Sequence, residues 1–206
     1  VLARIVNGGN EKLWLLFGAI AGLGILNKPT VLFLGAGVAV ALLFTPLRKH
    51  LLRPWVYAGG AIAFLIFLPN LIWQYNHDWA TYRFVKQLNE DTMKEIPFVD
   101  FMLGQILYMG PLSVFVWVPG LYFLLFSKTG AKYRALGIVC VTVFAIMVIA
   151  KAKAYYLAPA YPALFAGGAL AWSGLVMNRR WLQRAAFALP IAGLIWTAPL
   201  GLPMLD

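Results

Sequence analysis

The fold is decided by residues 54–77, which read PWVYAGGAIAFLIFLPNLIWQYNH, 24 residues without a Lys, Arg, Asp or Glu. A bilayer core of about 30 Å needs about 20 helical residues, so this stretch predicts a membrane-spanning helix. Six further stretches lack charged residues: 13–27, 29–47, 101–127, 135–150, 154–178 and 185–205. The sequence therefore predicts an all-α protein, a polytopic transmembrane helical bundle of about seven membrane helices.

The composition excludes a soluble globular protein, because 62% of the 206 residues are hydrophobic and only 12% are charged. The formal charge of +10 comes from short basic clusters between the apolar stretches, so it indicates a membrane as partner and no nucleic acid. One cysteine and two histidines are too few for an obvious metal site or Ser-His-Asp triad. We therefore predict no metal site and no evident cofactor, and leave a divalent cation open.

The charged residues also predict an orientation. Basic clusters at 48–53, 128–134 and 179–184 fall in alternate loops, as the positive-inside rule requires of cytoplasmic segments. The loop 73–100 has a net charge of −2, so we expect it outside as a partly ordered outer loop, with 151–156 on the same side. This topology needs a tight outer turn at 27–30, which Pro29 favours.

Lysines at the predicted outer boundary are candidate binding residues, because the positive-inside rule does not explain them there. They are Lys28, Lys151 and Lys153, the last two followed closely by Tyr155 and Tyr156. Ammonium groups, phenols and a helix start near Pro159 would together bind a phosphate. For this we expect a helix that ends near Ala150, a non-helical segment within 151–158 and a new helix from Pro159. The alternative is ordinary snorkelling of lysines beside an aromatic belt.

The segment 69–84 combines amides, one histidine, one aspartate and several aromatic residues. Such mixtures bind carbohydrates, and the candidate sugar- or acceptor-facing residues are Asn70, Trp73, His77, Asp78, Trp79 and Arg83. An amphipathic helix on the membrane surface explains the same pattern equally well. Farther along, the 101–127 stretch carries Gln105 near its outer end, and polar groups inside membranes are functional by default. We expect Gly110-Pro111 only to kink that helix.

Three motifs together resemble a known family. They are GLGILNKPT at 22–30, FLPNLIW at 67–73 with His77-Asp78-Trp79, and KAYYLAPAYP at 153–162. The resemblance, over roughly residues 15–175, is to bacterial C-type membrane glycosyltransferases related to protein O-mannosyltransferases and lipid A aminoarabinose transferase. It implies a multi-pass protein of the bacterial inner membrane. Its activity would transfer a sugar from a polyprenyl-phosphate donor to a lipid, glycan or protein acceptor on the outer side, with inversion.

The resemblance also implies roles for residues. Lys28, Lys151, Lys153, Tyr155 and Tyr156 would bind the phosphate of the lipid carrier. No segment matches the family's first outer loop, which carries its catalytic carboxylate, so no catalytic residue is assigned. We expect residues 1–206 to be one transmembrane domain that lacks the family's N-terminal helices and that loop. A transporter or flippase fragment and a non-catalytic scaffold remain the alternatives, although a transporter would carry charges near the bilayer centre.

Overall fold

The computed structural model describes residues 1–91 and 96–176, and after these residues 179, 181, 182, 184, 185, 188, 191–193 and 195. Most of the span predicted at 185–205 therefore lies outside the described residues. The described part is helical and contains no β-strand, which confirms the all-α prediction. Two compact units, residues 1–95 and 96–206, divide the chain, and each is described by itself. The single transmembrane domain stays a prediction.

Unit 1 contains five α-helices among its described residues, 1–91: α1 Leu2–Val6, α2 Leu13–Asn27, α3 Val31–Phe44, α4 Pro54–Asn76 and α5 Ala80–Asp91. The predicted turn between α2 and α3 is confirmed, with the Val31 N–H donating to the Lys28 carbonyl at 3.1 Å. The first basic cluster lies on a 3₁₀-helix, Pro46–Leu52. There Thr45 ends α3, and its hydroxyl accepts from the Leu47 N–H at 3.2 Å.

Unit 2 contains four α-helices in its described part: α6 Phe98–Tyr108, α7 Val114–Phe126, α8 Arg134–Ile149 and α9 Tyr161–Val176. Three 3₁₀-helices connect them, at Pro111–Ser113, Ala131–Tyr133 and Ala154–Ala160. The prediction of one helix over 101–127 is wrong, because the chain bends by 95° between α6 and the segment Pro111–Phe126. Gly110 has φ +85°, a conformation that side chains disfavour, and Pro111 has no N–H to continue the helix.

Close helix pairing by glycine organises both units. A Cβ on Gly18 of α2 would overlap the Gly59 carbonyl of α4, and one on Gly120 of α7 would overlap the Leu164 carbonyl of α9. Small residues allow such close backbone approach, which membrane helices use because lipid supplies no hydrophobic force between them. α2 therefore packs along α4, and α7 along α9.

Only some helices are long enough to cross a bilayer alone. Pro54–Asn76 and Ala131–Ile149 have 23 and 19 residues and are apolar enough. Two bent pairs qualify if each is one span: Val31–Phe44 with Pro46–Leu52, bent by 98°, and Phe98–Tyr108 with Pro111–Phe126. The described residues thus hold two to four candidate spans, so a helical membrane protein is supported and a count of seven is not confirmed.

Candidate functional site

The junction after α8 carries two lysines and two tyrosines, Lys151, Lys153, Tyr155 and Tyr156, which we call the lysine-tyrosine motif. The helix ends at Ile149, where the Lys151 N–H donates to the Val148 carbonyl at 3.1 Å and the Ala152 N–H to the Met147 carbonyl at 2.9 Å. These two bonds form a Schellman motif, whose central position is usually a left-handed glycine. Here that position is Lys151, with φ +48°. A lysine thus stands where glycine is ordinarily more stable, and such strain commonly marks functional positions.

Lys153 starts the next element. Its backbone is extended, with φ −64° and ψ 137°, and its carbonyl accepts from the Tyr156 N–H at 3.0 Å at the head of the 3₁₀-helix. The predicted break between two helices is therefore confirmed. The second helix, however, begins at Ala154 rather than Pro159, because 3₁₀ geometry accommodates Pro159 within Ala154–Ala160. Lys153 itself is half-buried.

Tyr155 forms ring contacts with two other tyrosines at this junction. The rings of Tyr155 and Tyr156 lie 4.7 Å apart at 69°, and the rings of Tyr155 and Tyr108 lie 6.5 Å apart at 90°. Both arrangements are edge-to-face contacts of the kind that aromatic pairs prefer. Tyr108, from the end of α6, was not among the predicted residues. Tyr108 follows Gln105 by three residues, and residues at this helical spacing are neighbours on the helix surface. This spacing is the sequence signal that indicates Tyr108.

A buried polar network holds this motif in place. Gln105 is 2% exposed, and its amide donates to the Ala154 carbonyl at 3.0 Å and to the Phe101 carbonyl at 3.2 Å. Its carbonyl accepts from the hydroxyl of Tyr161, also 2% exposed, at 2.9 Å. Gly104 lets α6 approach, because a Cβ there would overlap that of Ala154. Sequence reasoning noted Gln105 as a polar residue but missed its partner Tyr161.

A cavity of about 170 Å³ adjoins the network within unit 2. It is lined mainly by apolar side chains, among them Met102, Leu121, Phe144, Leu157 and Leu164. The Trp117 indole also lines it, and that N–H is buried without a hydrogen-bond partner among the described residues. The cavity is thus an apolar volume with few polar groups. Its lining includes Leu157, which belongs to the 3₁₀-helix that follows Lys153.

Lys28 occupies a comparable position in unit 1. It is the C-cap of α2, with extended backbone at φ −148° and ψ 115°, and its N–H donates to the Gly24 carbonyl at 2.8 Å. Its side chain is exposed. Because Lys28 belongs to unit 1 and Lys151 and Lys153 belong to unit 2, a phosphate site shared by all three stays a prediction.

The predicted sugar-facing residues lie around the end of α4. The Trp73 and His77 rings stack at 4.3 Å and 18°, and His77 Nδ1 lies 2.8 Å from the Trp73 carbonyl. The Arg83 guanidinium lies 3.5 Å from Asp78 and donates to the His77 carbonyl at 3.1 Å. Four of the six residues are thus in mutual contact, whereas within the described part of the chain no side-chain hydrogen bond, ion pair or ring contact joins Asn70 or Trp79 to them. Sequence reasoning missed Gln74, whose side chain connects α4 to α5.

Comparison with known proteins agrees with the resemblance. The family model described as dolichyl-phosphate-mannose-protein mannosyltransferase matches residues 1–73. The lipid A galacturonosyltransferase RgtD of Rhizobium johnstonii is 28% identical over 156 residues, which are 72% of this chain and 33% of that protein. No solved structure matches the chain.

These matches confirm the predicted resemblance to protein mannosyltransferase-like membrane glycosyltransferases. Both matches carry the names of glycosyltransferases, and the apolar helices of this chain indicate a helical membrane protein. The chain spans about a third of the length of the curated relative it matches.

Proposed function

We propose that the protein containing this chain transfers a sugar from a polyprenyl-phosphate donor to a lipid, glycan or protein acceptor, with inversion at the anomeric carbon. It would act as a multi-pass protein of the bacterial inner membrane, with about seven membrane helices in this chain and its site on the outer side. The proposal rests on similarity to a mannosyltransferase family and to a lipid A galacturonosyltransferase.

The observation that carries the proposal is the junction between α8 and the 3₁₀-helix Ala154–Ala160. Two lysines and two tyrosines lie within six residues there, and Lys151 keeps a left-handed backbone that glycine would adopt with less strain. A buried hydrogen bond from Gln105 fixes the first residue of the 3₁₀-helix. The motif is thus held on a rigid support, which favours binding of a phosphate over random snorkelling.

In the proposed reaction the acceptor oxygen attacks the anomeric carbon, and the bond from that carbon to the phosphate oxygen breaks. A general base removes the acceptor proton, and the polyprenyl phosphate leaves with the bonding electrons. The ammonium groups of Lys151 and Lys153 stabilise the charge that grows on the phosphate, with Lys28 as a third cation and the hydroxyls of Tyr155 and Tyr156 as donors. The proposal assigns the base to the carboxylate of the family's first outer loop and names no residue of this chain for that role.

The residues at the end of α4 would face the sugar or the acceptor. Trp73, stacked on His77, and exposed Trp79 offer ring faces for a pyranose, and Asn70, Asp78 and Arg83 offer polar groups. These residues would recognise the sugar or the acceptor, whereas the phosphate site recognises only the lipid carrier.

The proposal is tested by comparing Lys153→Ala with Lys128→Ala in the full-length protein. Lys128 is exposed and lies in the predicted cytoplasmic loop, so it serves as the matched control. Loss of one charge-assisted contact to phosphate costs on the order of 1.5–3 kcal/mol, or roughly 10- to 150-fold in transfer rate. Equal, small effects of both substitutions would contradict the proposed phosphate site.

A further inference from the structure

α5 has one apolar face that is exposed to its surroundings. By helical spacing, Phe84 and Val85 follow Thr81 by three and four residues and share its face, whereas Lys86 lies on the opposite face. Phe84 is 64% exposed and Val85 46% exposed, so the described residues of unit 1 do not cover this apolar face. A helix with this pattern is typical of segments that lie in a membrane interface.

A hydrogen-bonded turn at residues 77–79 joins the end of α4 to α5. Asp78 and Trp79 have φ of +49° and +58°, and these two consecutive left-handed residues turn the chain out of α4. Gln74, in the last turns of α4 and 9% exposed, holds the turn. Its backbone carbonyl accepts from the Trp79 N–H at 2.8 Å, and its side-chain oxygen accepts from the Thr81 N–H at 3.1 Å.

The side chains of Gln74 and Thr81 share a second hydrogen bond, because the Gln74 amide donates to the Thr81 hydroxyl. The Thr81 N–H belongs to the first turn of α5, where it has no partner within the helix. Gln74 therefore caps α5 from another helix, and this fixes the direction in which α5 leaves the end of α4.

We propose that α5 lies on the membrane surface at the C-terminal end of α4, with Phe84 and Val85 at the boundary between headgroups and acyl chains. α4 is itself a candidate span, and only three residues separate it from α5. Exposed apolar side chains lie near the junction on both helices, at Ile72 of α4 and at Tyr82 of α5. Aromatic rings favour headgroup depth, so continuity with the membrane surface of α4 identifies lipid as the occupant.

The experiment places a fluorescent label on single cysteines of this chain, in a Cys140→Ser background, reconstituted in vesicles of phosphatidylethanolamine and phosphatidylglycerol. Phe84→Cys and Val85→Cys report on the apolar face, and Lys86→Cys on the opposite face is the matched control. Nitroxide on the upper acyl chain should quench positions 84 and 85, with iodide quenching there several-fold weaker than at position 86.

Equal quenching by iodide at positions 84, 85 and 86 would overturn the proposal, since it would place the helix in water. Shielding of positions 84 and 85 from both quenchers would also overturn it, since protein or an acceptor would then cover the face.

A Gln74→Leu variant tests the turn between α4 and α5: iodide quenching at Val85→Cys should rise toward that at Lys86→Cys. A label at Leu65→Cys, 62% exposed in α4, should remain quenched by lipid and so report an intact span. Unchanged quenching at position 85 would refute the role of Gln74.

Discussion

Replacement of Lys151 by glycine should stabilise the fold while it weakens phosphate binding. Lys151 has φ +48° at the central position of the Schellman motif that ends α8. A left-handed backbone costs a residue with a side chain roughly 1–2 kcal/mol. Glycine avoids this strain but loses about 0.5–1 kcal/mol through its greater freedom in the unfolded chain. We therefore expect Lys151→Gly to raise the free energy of unfolding by about 0.5–1 kcal/mol.

Lys153→Gly is the matched control, because Lys153 has φ −64° and ψ 137°, which any residue adopts without strain. That substitution should lower the free energy of unfolding by about 0.5–1 kcal/mol. Titration of the chain in mixed micelles with sodium dodecyl sulfate, followed by circular dichroism, measures both changes. The affinity for polyprenyl phosphate should fall in both variants, since each loses an ammonium group.

Two results would refute this reasoning separately. If Lys151→Gly destabilises the chain as much as Lys153→Gly does, the left-handed conformation at residue 151 is not adopted. If Lys151→Gly stabilises the chain but leaves the affinity for polyprenyl phosphate unchanged, the strained lysine has no part in phosphate binding.

Three other predictions concern the support and the orientation of the site. Gln105→Leu removes the hydrogen bonds to the Ala154 carbonyl and the Tyr161 hydroxyl, so it should lower the free energy of unfolding in the same titration by about 1–3 kcal/mol; an unchanged value would exclude the network. Gly120→Ala should destabilise by about 1–3 kcal/mol through overlap with the Leu164 carbonyl, whereas Gly35→Ala, which meets nothing within 4 Å, should not; equal effects would contradict the close pairing of α7 and α9. With Cys140→Ser, a membrane-impermeant maleimide added outside should label Gln87→Cys and spare Lys132→Cys, and the reverse pattern would overturn the predicted orientation.

The sequence predicted helix boundaries closely where charged residues flank an apolar stretch that is long enough to span a membrane. The 24-residue stretch at 54–77 forms α4, Pro54–Asn76, because its apolar length outweighs local helix-breaking signals. Pro69 lies within that helix without ending it, as membrane helices tolerate. The break after Ile149 also followed, since the apolar stretch ends before Lys151 and the residue before Pro159 disfavours helical geometry.

The 101–127 stretch shows where such reasoning fails. Apolar length predicted one helix, but Gly110 takes φ +85° and the chain bends by 95°. Gly-Pro pairs can either kink a helix or end it, and only tertiary packing decides which occurs. The partners of Gln105 and Gln74 were equally inaccessible, because a hydrogen bond from residue 105 to residue 161 depends on the way the helices pack. The sequence therefore indicated the candidate phosphate-binding residues but not the glutamines that support them.

The central claim, that the segment 151–156 binds the phosphate of a lipid carrier, is tested most directly by a binding measurement. Native mass spectrometry of this chain in one detergent would compare polyprenyl phosphate with the neutral polyprenol of the same length. The account predicts binding of the phosphate that is about 10-fold tighter or more, a preference lost in Lys153→Ala and retained in Lys128→Ala. Equal binding of the two lipids, or an unchanged preference in Lys153→Ala, would contradict it.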